Sequence, residues 1–206
     1  MLEFDIDKGD TMFSSELPTF RPIFFVLACL LLVIGAAPPA LGGELGGVQM
    51  ADQSRVGDQS LVLNGLGLRK KAIFKVYVAG LYLPRRTSDP DLILKNDEAR
   101  QLKMEFVRNV GGDNIAEAWS ECLKSNNPSA GADVRSGFSD LGTWMSDFRK
   151  GDRLVFSYDP AAGTHVMVKG ESKGTVAGKP FADALFRCWI GTVPPSEDFK
   201  AGLLGR

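Results

Sequence analysis

Between residues 69 and 79 the chain alternates. Lys70, Ala72, Phe74, Val76 and Val78 hold the even positions, nearly all apolar, and Arg69, Lys71, Ile73, Lys75, Tyr77 and Ala79 the odd ones. A period of two is the signature of a strand whose faces differ, so the packed residues fall on one face and Arg69 and Tyr77 on the other. The same spacing predicts strands over 60–64, 72–83, 101–107 and 152–158, with Leu102, Met104 and Phe106 set against Lys103 and Glu105. Residues 159–163, Asp-Pro-Ala-Ala-Gly, read as a hairpin loop, residues 164–169 as the returning strand, and Thr175 and Val176 as its continuation. Residues 44–60 read as a first strand plus loop. Gly65 and Gly67 at the entry to the alternating segment point to a bulge or to another backbone close by.

Elsewhere the period becomes helical. Ile115, Ala118, Trp119, Cys122 and Leu123 form one stripe, opened by a capping box from Asn114 to Glu117 and closed by Asn126-Asn127-Pro128. Val134, Phe138, Leu141, Met145 and Phe148 form a second stripe, ending at Lys150-Gly151. Phe181, Ala184, Leu185, Cys188 and Trp189 form a third, with Pro180 at its start. A short helix begins at Ser196 and ends near Leu203, and a helical turn lies around residues 91–94. Strands, helices, strands and helices in that order give an α+β class with a largely antiparallel sheet.

The N-terminus belongs to a different regime. Residues 23–37 are almost entirely apolar, follow Arg21, and precede the small residues Ala40, Gly42 and Gly43. This fits a secretory signal, shorter than the roughly 20 residues of a spanning helix. An uncleaved membrane anchor over 23–37 is the alternative, and translation from Met12 would remove the acidic start. The organisation expected is an N-terminal extension and signal over 1–42 and one domain over 43–206, exported to the periplasm. Removing Lys8 and Arg21 from the 24 basic residues, and Glu3, Asp5, Asp7, Asp10 and Glu16 from the 25 acidic ones, leaves a formal balance of +2. That balance, without any basic run of five, argues against a nucleic-acid partner. Cys122 and Cys188 both sit on apolar helix faces. Small core residues are the expected reading, and a disulfide in an oxidising compartment the alternative.

Chemistry-bearing motifs are few. One histidine, His165, and two distant cysteines give no metal-ligand spacing. Gly65-x-Gly67 lacks the third glycine and the following helix of a phosphate loop, so no cofactor is implied. Arg69 and Tyr77 remain, an arginine and a phenol on one face, suited to sharing an anionic ligand. A solvated ion pair for Arg69 and a sheet-packing role for Tyr77 are the plain alternatives. Trp119, Trp144 and Trp189 read as packing.

Leu63-Asn64-Gly65-x-Gly67-x-Arg69 with Val76-Tyr77-x-x-Gly80-Leu81-Tyr82-Leu83 resembles the chalcone isomerase superfamily, in its bacterial chalcone isomerase-like branch. Gly151-Asp152-x-Leu154, Phe181-x-x-Ala184-Leu185-Phe186-x-x-Trp189-Ile190-Gly191 and Leu203-Leu204-Gly205 agree in order and spacing. The resemblance covers residues 45–206. It implies an open-faced β-sandwich, a large antiparallel sheet covered by helices on one side, with a ligand cleft between them. Arg69 matches the arginine that holds a phenolate in the enzymes and a carboxylate in the family's fatty-acid binders. Tyr77 stands where the enzymes have threonine, and resembles the binders. Asn114 and Glu121, aligned on Cys122, stand where the enzymes have tyrosine and asparagine. The expectation is therefore non-catalytic binding of a fatty-acid-like or other apolar carboxylate through Arg69 and Tyr77, its tail sheathed by Ile115, Trp119, Phe138 and Met145. The alternatives are an intramolecular lyase that cyclises chalcone-like Michael acceptors, with Arg69 catalytic, and a non-catalytic envelope partner protein.

Overall fold

A computed structural model describes residues 41–206. The apolar segment 23–37 and the expected cleavage zone up to residue 40 lie outside the described residues. Seven strands form one antiparallel sheet in chain order: β3 (Gln53–Val56), β4 (Gln59–Lys71), β5 (Phe74–Leu83), β6 (Arg100–Phe106), β7 (Arg153–Asp159), β8 (Gly163–Val168) and β9 (Glu171–Val176). Ahead of it, β1 (Leu41–Leu45) and β2 (Val48–Ala51) make a separate two-stranded hairpin. The helices are α1 (Pro90–Lys95), α2 (Gly112–Asn126), α3 (Ala132–Trp144), α4 (Lys179–Ile190) and α5 (Glu197–Leu203). Among the described residues no helix is long and apolar enough to cross a membrane.

Alternation decides which side chains meet. Tyr77, Ala79, Leu81 and Leu83 of β5, Leu102, Met104 and Phe106 of β6, and Leu154, Phe156 and Tyr158 of β7 point to the helical side. There they pack on Ile115 and Trp119 of α2, Phe138 and Leu141 of α3 and nearly all of α4. The odd residues of β5 are thus core-facing, contrary to the expectation that the packed residues lie opposite Tyr77. Both faces of β5 are in fact covered. Val78 and Tyr82 on the second face join Val48 and Met50 of the β1–β2 hairpin in a smaller core, where the Tyr82 hydroxyl donates to Ala51 O at 3.0 Å. Beyond β5 that face carries Lys103, Glu105 and His165 and stays half-exposed, which leaves the sandwich open.

The two glycines of β4 do what their spacing predicts. A bulge falls between Leu63 and Gly65, and a Cβ on Gly65 would lie 2.2 Å from Gly202 O and 2.7 Å from Leu203 O. A Cβ on Gly67 would lie 2.8 Å from Phe199 O. Helix α5 therefore lies backbone to backbone on β4. The bulged Asn64 fastens it, donating to Leu203 O and accepting from Thr87 N, each at 2.8 Å.

Several boundaries differ from the pattern. Helix α2 starts at Gly112, and no cap comes from Asn114. Asp147 accepts from Gly112 N at 3.0 Å instead, a remote cap that local sequence does not reveal. Helix α3 ends at Trp144, so Met145 and Phe148 lie beyond it, and Phe148 bridges to Val110. Residues 44–60 hold three short strands rather than one. Arg100, 1% exposed, sits below α1 between the rings of Tyr158 and Phe186, each 4.9 Å from its guanidinium. It donates to Ile93 O at 2.8 Å and pairs with Asp183 at 2.5 Å, while Lys179 bonds both Asp183 and Leu94 O. The charged cluster thus satisfies carbonyls of α1, as an arginine buried this deeply requires.

Candidate functional site

Between β4, β5, α2 and the segment after α4 lies a cleft of about 350 Å³, at the small end of the range for small-molecule sites. Its apolar lining comes from Tyr77 and Met104 on the sheet, Ile115 and Trp119 on α2, Trp189 on α4 and Val193 after it. Arg69 and Lys71 stand on the sheet wall, and Asn114, Glu117 and Glu121 on the helix wall.

Arg69 and Tyr77 do share a face, but not as one strand of period two: the chain turns at Ala72-Ile73, and the pairing of β4 with β5 makes the two residues direct cross-strand partners. A second irregularity, between Arg69 and Lys70, breaks the alternation just beyond them. The Arg69 side chain is half-buried, and the hydrogen bond it makes among the described residues goes from Nη1 to Pro195 O at 2.6 Å. An arginine has five N–H donors, so the rest of the fork is available to the cleft. Tyr77 lies deeper and is buried. Its hydroxyl accepts from Trp189 Nε1 at 3.3 Å, and its ring meets Phe106 and Phe199 edge-on. Burial pushes its pKa up to about 12, against the opposing pull of the Trp189 hydrogen bond and the Arg69 charge. Tyr77 therefore enters the cleft as a neutral phenol at physiological pH, able to donate a proton in a hydrogen bond.

Cys122 of α2 and Cys188 of α4 also line the cleft, and they are joined by a disulfide, with Cα atoms 5.4 Å apart. This corrects the reading of both as free core cysteines. Each does sit on an apolar stripe, but the two stripes face one another at the cleft wall, an adjacency that periodicity within single helices does not contain. Ile115 and Trp119 line the cleft as expected. Phe138 and Met145 do not: Phe138 packs edge-on to Phe181 in the main core, and Met145 lies against that core. Trp119 and Trp189 pack on Phe156 and on each other, with ring centroids 5.6 Å apart, and still present edges to the cleft. The Trp119 indole N–H is buried without a partner among the described residues.

The strand reading of the sequence missed the lip. Residues 191–195 form one wall and are held by side chains from three elements. Asn126 bonds Val193 through both its N–H and its C=O, at 3.0 and 2.9 Å. Lys200 donates to Gly191 O at 2.8 Å, and Arg69 holds Pro195. The signal available was Pro194-Pro195 directly after a helix stop, which marks a rigid loop but not its position.

The model of the family described as chalcone isomerase-like matches residues 42–205. The chain belongs to the chalcone isomerase-like family. No curated protein matches the sequence. Among solved structures, the fold is similar to that of a fatty-acid binding protein of Arabidopsis thaliana, at 18% identity and a TM-score of 0.59. The match covers 77% of this chain and 92% of that one. At that identity the likeness establishes the chalcone isomerase-type fold, a curled antiparallel sheet backed by helices, and leaves the site to be argued from its own residues.

Proposed function

We propose that this member of the chalcone isomerase-like family is an exported, non-catalytic binding protein that takes a fatty-acid-like or other apolar carboxylate into the cleft. The observation that carries the reading is the position of Arg69, half-buried beside the apolar part of the cleft and across from the polar helix wall, with a single hydrogen bond, to Pro195 O, among the described residues. A guanidinium grips a carboxylate through two parallel hydrogen bonds and stays charged at all relevant pH values. Tyr77, protonated and directly opposite Arg69 across the strands, supplies a further donor. Beyond them Met104, Ile115, Trp119 and Trp189 offer the tail apolar surface, at about 0.8 kcal/mol per buried methylene. The structural likeness to a fatty-acid binding protein agrees with this chemistry. Export is supported by the Cys122–Cys188 disulfide, since such bonds persist chiefly in oxidising compartments.

The test compares wild type with Arg69→Ala, titrated with a long-chain acid and with its methyl ester. Charge-assisted hydrogen bonds contribute about 1.5–3 kcal/mol, so the acid should bind roughly 10- to 150-fold more weakly to the variant. The ester should bind both proteins alike, which shows that the lip survives loss of the Arg69–Pro195 contact. Equal affinity of the acid for both proteins refutes the anchor. Arg69-dependent cyclisation of a chalcone above its spontaneous rate refutes the non-catalytic part.

A further inference from the structure

Among the described residues four large apolar side chains are exposed, two of them adjacent on one hairpin, where Phe74 lines a depression next to the cleft, and a third, Val193, on the cleft's lip. Ile73, 87% exposed, and Phe74, 54% exposed, form the tip of the β4–β5 hairpin, and Val193 lies on the lip. The turn residues themselves are Ala72 and Ile73, since Lys71 pairs with Phe74. Two-residue hairpin turns favour asparagine and glycine, because a turn position there takes positive φ. Here Ala72 is held at φ 52°, and an isoleucine is turned out to water beside it. Neither choice serves the turn, and neither serves solubility.

The tip is also strongly cationic. Residues 69–76 and 107–112 carry Arg69, Lys70, Lys71, Lys75 and Arg108 and no acid. The Arg108 guanidinium lies over the Phe74 ring at 4.5 Å, so charge and apolar surface are interleaved rather than segregated. A depression of about 220 Å³ lined by Lys71, Phe74, Val76, Arg108 and Val110 adjoins the cleft and shares Lys71, Val76 and Val110 with it.

We propose that the β4–β5 hairpin tip docks on an anionic lipid surface, with Ile73 and Phe74 entering the acyl boundary and the surrounding lysines and Arg108 engaging lipid phosphates. A narrow convex tip with an aliphatic and an aromatic residue ringed by cations has the chemistry of an interfacial anchor, where apolar burial and attraction to anionic headgroups add. The charges select against a neutral surface, and the exposed isoleucine has no role on a nucleic acid. Docking by this tip would bring the adjoining depression, and with it the cleft, to the membrane. The docking is independent of what the cleft binds; only the passage of a ligand between bilayer and cleft rests on the carrier reading.

The experiment uses the full chain, so that residues 23–37 are present in every sample. Wild type and the Ile73→Ser/Phe74→Ser double variant are mixed with vesicles of phosphatidylcholine alone or of phosphatidylcholine with phosphatidylglycerol. Hydrogen exchange is then read peptide by peptide. Exchange over residues 69–76 should slow roughly tenfold for wild type on the anionic vesicles, an effect that fades in high salt. It should slow far less on neutral vesicles and far less in the double variant, while the amides of β6–β8 report an unchanged fold in both. Equal exchange with and without anionic lipid, equal slowing on neutral vesicles, or equal slowing in the variant overturns the proposal. Slowing in vesicle-free samples as protein concentration rises overturns it too, because the tip would then be covered by a second copy. Binding of a long-chain acid to the double variant in free solution reads the cleft separately, so failure of the tip and failure of the carrier reading are told apart.

Discussion

Replacing both Cys122 and Cys188 by alanine removes a cross-link between α2 and α4 that closes 66 residues of chain. Chain-entropy reasoning assigns such a loop an unfolded-state restriction of about 4 kcal/mol at 25 °C. The restriction is useful only if the folded chain already brings the two Cα atoms to bridging distance, and it does, at 5.4 Å. Both side chains are buried, so the alanines also forfeit some packing against Trp119 and Trp189. The double variant should therefore lose about 3–5 kcal/mol in urea unfolding under oxidising conditions. For a domain of this size that corresponds to roughly 6–20 °C in the melting midpoint. Wild type in excess reductant should reproduce the loss, and the variant should be indifferent to reductant. A loss below about 1 kcal/mol refutes the reasoning, because it would mean that the unfolded chain gains little freedom from opening the bond. A variant that remains sensitive to reductant would point to an intermolecular bond through Cys29, the one cysteine left.

Two further perturbations test the packing around the site. Gly65→Ala places a methyl 2.2 Å from the Gly202 carbonyl, a backbone atom with nowhere to go, so α5 must lift from β4 at a cost of about 3 kcal/mol or more; retained α5 protection in hydrogen exchange would contradict this. Raising the pH removes the proton from Tyr77. Its folded pKa of about 12 lies above the ordinary value of 10, so its contribution is complete below pH 10 and is lost as pH climbs toward 12. Tyr77 alone should contribute a fall of about 3 kcal/mol in unfolding free energy across that window, added to what Tyr82 and Tyr158, both also raised by burial, contribute. The fall should be smaller in Tyr77→Phe, with Tyr82, also pushed up to about 12, accounting for part of what remains.

What could be read in the sequence was whatever a single element determines. The glycine pair announced a close approach because only an absent side chain permits one, whereas Arg69 and Tyr77 meet through a hairpin turn at Ala72-Ile73 that the period of two read straight through. The α4 stripe was legible because it lies within one helix, although the helix is buried almost all round rather than on one side. What could not be read were relations between elements. The disulfide needs α2 and α4 side by side, the cap on α2 comes from Asp147, and Arg100 looks like a strand-entry cation until Asp183 is found 83 residues later. Lys75 shows the limit of parity. It shares the odd parity of Tyr77, but the irregularity after Arg69 and the hairpin end leave it exposed beyond the packed part of the strand.

The same distinction explains why an arginine at position 69 serves where a lysine would not. The residue has a structural duty already, holding the lip through Pro195 O. A lysine ammonium is a compact charge, and one that swung to a ligand would have to leave the lip or share a single centre between two acceptors. The guanidinium separates its donors along a rigid fork, so one nitrogen can keep the lip in place while the other donors face the cleft. Under the proposed anchoring role, binding would add contacts without releasing the lip, which Asn126 and Lys200 also tie in place. A cleft built this way loses little freedom when it fills, which favours affinity through preorganisation. It also predicts that the cost of Arg69 substitution falls on the affinity for an acid, because Asn126 and Lys200 still hold residues 191–195.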